Sequence, residues 1–182
     1  MQFSGYALPL ISLPYLSRVL STEKFGLIAF AQTFIWYFLA FTEYGFNLTA
    51  TRSIAVMRDQ PEELTRIFSA VMMAKFLLTV VGFGLFCVTV LAVPSLRPNW
   101  VLYLIAFVTV IANLLFPLWL FQGLQTMQHV AIRDVAAKLL SLVLLFVFVH
   151  GDGDYLIAAA AQSGGLLLAG IAGLVTALQK SG

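Results

Sequence analysis

Charge is what this chain has least of. Asp, Glu, Lys and Arg make up 10% of its 182 residues, hydrophobic types make up 61%, and mean hydropathy is +0.97. Soluble domains carry about a quarter charged residues and about half apolar ones. This chain therefore lacks the polar groups needed to cover a surface in water. Its one cysteine, Cys87, excludes an internal disulfide and, set in an apolar run, reads as a packing thiol. A net charge of +2, scattered along the chain, gives no electrostatic footprint for nucleic acid. Paired metal-ligand motifs are missing, as are a Gly-rich phosphate loop ending in Lys-Ser/Thr and a nucleophile elbow. His129 and His150 fall at predicted helix ends, where solvated roles are the default. The expectation is a protein that is not an enzyme and needs no cofactor. Met1 leads directly into apolar residues without a basic stretch, and no small-residue cleavage site precedes Arg18, so no cleaved signal peptide is expected.

What the chain has instead is long apolar runs, and lipid is the solvent they require. Inside lipid the backbone must satisfy its own hydrogen bonds, which leaves helices or a closed barrel. Runs such as Phe76–Val93 and Leu139–Val149 are continuous rather than alternating, so helices are favoured. A crossing takes about 20 apolar residues. Six segments qualify: 3–20, 25–44, 64–93, 100–121, 135–149 and 155–178, the start of the fifth being the least defined. The breaks carry turn chemistry: Ser21-Thr22-Glu23-Lys24, Asp59-Gln60-Pro61-Glu62-Glu63, Pro94 to Asn99, and Gly151 to Asp154. The predicted fold class is an all-α integral membrane protein of six transmembrane helices. The bias of basic residues places both termini in the cytoplasm. Arg52, Arg58, Arg66, Arg133, Lys138 and Lys180 then lie near that face, and Arg18, Lys24 and Arg97 near the other with Asp152 and Asp154.

Trp100, Tyr103 and Tyr155 at one predicted interface and Trp119 at the other read as aromatic belts. Trp36 and Tyr37 fall near the middle of the second segment, where they either pack between helices or line a cavity and stack on a sugar face. Ala161, Gly165, Ala169, Gly173 and Ala177 recur at every fourth position, a ridge that allows close approach of another helix. Pro9, Pro14 and Pro117, the last following Asn113, mark bends or breaks.

The informative side chains are charges at membrane depth: Arg18, Glu43, Lys75 and Lys138. A charge at a helix centre costs at least about 2.5–3.5 kcal/mol, so each needs water, a partner or a function. Arg18 and Lys138 lie near segment ends and are within reach of the interface by snorkelling. Lys75 is deeper, about 12 Å beyond an entry near Ile67 at the helical rise. It is expected to face the bundle interior, with Glu43 as the alternative ion-pair partner. Three cations against one anion, extended by Arg52 and Arg58, make a basic interior suited to an anionic phosphate or pyrophosphate cargo. An exporter coupled to cations is expected to place a carboxylate deep in the membrane, and none is found there.

Three stretches carry a family resemblance: Leu8–Leu20 (LPLISLPYLSRVL) leading into Glu23–Gln32 (EKFGLIAFAQ), Thr42–Arg52 (TEYGFNLTATR) and Asn113–Gly123 (NLLFPLWLFQG). With Phe68–Lys75 (FSAVMMAK) between them, the chain resembles the N-terminal half of the polysaccharide transporters, the Wzx-like O-antigen flippases of the multidrug/oligosaccharidyl-lipid/polysaccharide (MATE-like) exporter superfamily. The resemblance implies one six-helix lobe, residues 1–182, of a two-lobe transporter in the bacterial inner membrane. The cargo it implies is a polyprenyl-pyrophosphate-linked oligosaccharide, moved by alternating access. Arg18, Arg52 and Lys75 fall in the matching stretches and carry over, with Lys138, as candidate cavity or mouth cations. Members have about twelve helices, so the resemblance implies a missing C-terminal lobe or a second copy as partner, beside membrane lipid and the polysaccharide polymerase machinery. Two other readings stay open: a cation-coupled small-molecule exporter of the same superfamily, and a membrane assembly subunit that transports nothing.

Overall fold

The computed structural model describes the backbone of residues 3–57, 60–125 and 127–181, and side chains within 11–57, 60, 62–125 and 135–178. Arg58, Asp59, Arg133, Lys180, His129 and the side chain of Pro9, all singled out above, lie outside the described residues. Eight α-helices follow one another: α1 (Phe3–Val19), α2 (Thr22–Glu43), α3 (Phe46–Met57), α4 (Pro61–Ala92), α5 (Trp100–Leu115), α6 (Leu118–Gly123), α7 (Met127–Phe148) and α8 (Tyr155–Ser181). No strand occurs among the described residues. Four stretches are long and apolar enough to cross a membrane: Thr22–Met57, Glu62–Ala92, Arg97–Gly123 and Asp152–Leu178. Val135–Phe148 is a shorter apolar helix. This is an all-α integral membrane protein.

Two of the predicted segments are broken, and the backbone gives the reasons. The second segment does not end in a loop at Tyr44. Tyr44 (φ 35°) and Gly45 (φ 79°) both adopt the left-handed region, stopping α2, and the chain re-enters a helix as α3. That region is costly for residues with a Cβ, which is why a glycine stands at the wider angle. The stretch expected to be a polar connection around Arg52 is therefore helical. The fourth segment breaks at Phe116-Pro117, separating α5 from α6, as the proline predicted. Pro14 does not interrupt α1. The seventh helix starts eight residues before the segment read from hydropathy, because its first turns are polar. Ser21 caps α2 by accepting a hydrogen bond from the Lys24 amide at 3.3 Å.

Helix α8 is the central post, and its small ridge sets the packing. A Cβ on Gly165 would lie 2.8 Å from the Ala137 carbonyl oxygen of α7, and one on Gly170 2.7 Å from the Ala112 carbonyl oxygen of α5. A Cβ on Gly173 would meet the Phe116 ring at 2.5 Å. Close backbone approach of this kind is how helices associate when lipid removes the hydrophobic driving force. One apolar cluster gathers Leu16, Ile28, Ile35, Phe86, Phe107 and Leu145 near the middle of the bundle. A second gathers Ile54, Phe68, Trp119, Leu120, Phe121 and Ala177 beneath the two helix breaks. Trp119 (0% exposed) and Tyr103 (1% exposed) sit in these clusters, so neither belongs to an aromatic belt. Trp119 is buried because α6 turns back under α3: the Thr51 hydroxyl donates to the Trp119 carbonyl at 3.2 Å, and Gly123 admits Ile54. Trp100 remains exposed, as a belt residue should.

At the far end of the bundle, the turn between α1 and α2 is held against the turn between α7 and α8. The Ser21 amide donates to Asp152 Oδ1 at 2.7 Å, the Tyr15 hydroxyl to the Val149 carbonyl at 2.7 Å, and Lys24 lies 4.5 Å over the Tyr155 ring. Asp154 closes its own turn by accepting the His150 and Gly151 amides.

Candidate functional site

One face of α2 is unlike the rest of this apolar body. Gln32, Thr33, Trp36, Tyr37 and Tyr44 recur at helical spacing and are all exposed. The Trp36 and Tyr37 side chains, at 71% and 73% exposure, have no helix packed over them. Beside this stripe, α2, α5 and α8 enclose a cleft of about 170 Å³, with Gln32, Trp36, Thr109, Gln162 and Ser163 among its lining. Tyr37 is not in that lining. Gln32 Nε2 donates to Gln162 Oε1, bridging α2 and α8 across the cleft. A second hollow of about 140 Å³ continues along Leu39, Thr109 and Leu166 to Asn113. The two make one polar seam running down the bundle.

Lys75 reaches this seam from behind. It lies near the middle of α4 and is 2% exposed; its ammonium donates to Asn113 Oδ1 at 3.3 Å. Asn113 stands in the last turn of α5, immediately before the Phe116-Pro117 break. Lys75 is thus inside the bundle, as expected, but it meets the cleft through the asparagine. Glu43 acts on it electrostatically. The two are not in ion-pair contact; Glu43 accepts a hydrogen bond from Asn47 Nδ2 at 2.9 Å instead.

The remaining predicted cations are not brought to the same place. Arg18 is exposed in the last turn of α1. Arg52 lines a groove of about 490 Å³ between α3 and α4 with Arg66 and Glu63, which themselves pair at 3.8 Å. Lys138 lines a hollow of about 250 Å³ between α1, α7 and α8 with Ser12, Ser141 and Gln162. Cations ring the cleft; the polar groups within it are neutral. The glutamines and Thr109 were missed by a reading that followed charge. The signal for them was available, since a primary amide mid-helix in an apolar run is itself uncommon. No cluster of His, Cys, Asp or Glu able to hold a metal occurs among the described residues.

Apolar membrane-length helices around a polar cleft define the class: a multi-pass membrane protein with a hydrophilic path inside its bundle. Comparison with known proteins makes this more particular. The family model described as polysaccharide biosynthesis protein matches residues 1–180. Over 180 residues, 99% of this chain and 43% of the relative, the chain is 37% identical to an Escherichia coli (strain K12) protein named "Putative O-antigen transporter". A Shigella dysenteriae protein of the same name is 33% identical over 168 residues, 92% of this chain and 42% of the relative. No solved structure matches. The chain belongs to the polysaccharide biosynthesis protein family, and it spans less than half the length of these curated relatives.

Proposed function

We propose that this chain is one lobe of a two-lobe flippase that moves a polyprenyl-pyrophosphate-linked oligosaccharide across the bacterial inner membrane by alternating access, with both termini in the cytoplasm. Family membership and the names of the relatives support a transporter for a polysaccharide precursor rather than an enzyme. The observation that carries the reading is the exposed α2 stripe of Gln32, Thr33, Trp36 and Tyr37 opening onto the cleft. Amides facing lipid would be left unsatisfied, so this face calls for water and a second wall. A missing lobe, or a second copy of this one, supplies that wall. In this reading Arg18, Arg52 and Lys138 attract the anionic pyrophosphate to the perimeter, Lys75 fixes Asn113, and Trp36, with Tyr37 beside it, offers a face for sugar stacking. Polymerase machinery is the partner that would take up the product.

The test is transbilayer movement of a pyrophosphate-linked oligosaccharide lipid in vesicles containing the full-length protein. Movement above protein-free vesicles, reduced by Arg52→Ala and Lys75→Ala at equal insertion, is the expected result. No movement by the wild type, with a synthetic complex still held together, would favour an assembly subunit. Export of small cations tied to titration of Glu43 would favour the exporter.

A further inference from the structure

The cleft holds two observations that the flippase reading does not use. The first is the state of the glutamine amides. Each primary amide offers two donors and an acceptor. The bridge uses one donor of Gln32 and the acceptor oxygen of Gln162. Gln32 Oε1 and Gln162 Nε2 take no other partner among the described residues, which leaves an acceptor and donors at the same cleft. The second is Thr109. Threonines at Thr33, Thr42, Thr79 and Thr89 donate back to carbonyls of their own helices. Such back-bonding is the usual resort of a hydroxyl in a membrane helix. Thr109 lines both hollows and makes no hydrogen bond among the described residues. Neutral donors and acceptors spaced around an aromatic face suit a ligand whose periphery alternates hydroxyls and C–H groups, which is a sugar ring. They do not suit a phosphate, which asks for cations.

We propose that Gln32, Gln162, Thr109 and the face of Trp36 form the subsite that reads the sugar ring adjoining the lipid carrier, the glutamine bridge opening to admit it. The inference rests on the flippase reading for its cargo and assigns that cargo a direction within the lobe. Gln162 and Leu166 also line the hollow that contains Lys138. The carrier's phosphates therefore lie on the α1/α7 side of α8, toward Lys138, and the sugar lies on the α2/α5 side, toward Trp36. At about 170 Å³ the cleft is smaller than the ~300–1,000 Å³ typical of whole-ligand sites, so it engages one ring and not the repeat unit.

The experiment measures binding to the full-length protein in nanodiscs. The probes are short-chain polyprenyl pyrophosphates that are bare or carry one glucose, galactose, rhamnose or N-acetylglucosamine. Wild type is expected to prefer at least one sugar-bearing probe over the bare carrier. Gln32→Leu and Thr109→Val should each remove much of that preference, about five- to tenfold for one lost hydrogen bond, while leaving bare-carrier affinity unchanged. Lys138→Met should weaken bare and sugared carriers alike. Thr109→Val preserves shape, so it tests the subsite even where a glutamine variant folds poorly. If the glutamine and threonine variants weaken all probes equally, or none, the sugar subsite is overturned while the cargo assignment stands. If wild type binds no carrier at all, the flippase reading falls and the subsite with it. A wild type that binds all carriers equally, sugared or bare, also overturns the subsite.

Discussion

Replacing Asn113 should be more damaging than replacing the charge it holds. Lys75 is 2% exposed, and its ammonium has Asn113 Oδ1 at 3.3 Å as its recorded hydrogen-bond partner, with Glu43 outside ion-pair distance. Asn113→Leu keeps the volume roughly constant but strands a buried cation. A hydrogen bond to a charged group is worth about 1.5–3 kcal/mol, and an orphaned buried charge costs more than the bond alone. The expected loss is about 3 kcal/mol. Lys75→Met removes the charge and keeps most of the stem, so its cost should stay within about 1 kcal/mol of wild type, since apolar replacement of a buried charge is often close to neutral. Once Lys75 is Met, Asn113→Leu should cost little. The resulting coupling energy of about 2 kcal/mol exceeds the ~0.6 average and ~1.7 maximum measured between ordinary polar partners in membranes.

Reversible unfolding in mixed micelles, or steric trapping in bicelles, reads all four corners of the cycle. The reasoning fails if Asn113→Leu costs the same in both backgrounds, because the two side chains would then act independently. It also fails if Lys75→Met is the more destabilising single change, which would make Lys75 the structural centre and the asparagine a bystander.

Other perturbations follow from the packing. Gly165→Ala should destabilise by about 1–3 kcal/mol through overpacking, because its Cβ would press to 2.8 Å on the Ala137 carbonyl; Gly164→Ala, with nothing within 4 Å, should be neutral or slightly stabilising in the same unfolding assay. Gly45→Ala should cost about 1 kcal/mol from left-handed strain at φ 79°, with no steric contribution because nothing lies within 4 Å of the added methyl. Tyr15→Phe should cost about 1 kcal/mol by removing the 2.7 Å hydrogen bond to Val149. Amide exchange in the turn between α7 and α8 should quicken in the same variant.

The spans were legible because lipid leaves so few solutions. A continuous apolar run must be a helix, and Pro117 and the α8 ridge each have one physical consequence that the structure shows. Helix α3 was not legible. Hydropathy reads TEYGFNLTATR as a connection, and only the left-handed pair Tyr44-Gly45 reveals a second helix folded back under the first. Trp119 was misread for a related reason. It was placed by its distance along a straight segment, whereas the break at Phe116-Pro117 turns it into the core. The site was legible only in part. Lys75 could be placed inside the bundle from its cost in lipid, but its partner lies 38 residues away on α5, and the Gln32–Gln162 bridge joins residues 130 apart. Contacts of that range depend on which helix faces face each other, which periodicity does not specify.

The separation of charge from the cleft has a physical logic of its own. A transporter must bind its cargo well enough to admit it and weakly enough to release it. Two unit charges 4 Å apart interact by about 4 kcal/mol at an effective dielectric constant of 20 and far more where water is excluded. Arginines converging inside a narrow cleft would thus hold a pyrophosphate for too long. With Arg18, Arg52 and Lys138 at the perimeter, each facing wider or open space, attraction is spread out and moderated by water. The single deep cation, Lys75, is tied to Asn113 and presents an amide to the cleft in its place. Neutral groups such as Gln32, Gln162 and Thr109 then discriminate through hydrogen bonds worth about 1 kcal/mol each, strong enough to select a ring and weak enough to let it leave. Moving a cation inward tests this directly: Gln32→Arg should bind pyrophosphate carriers more tightly and transport them more slowly. A variant that both binds and transports faster would show that release never limited the cycle.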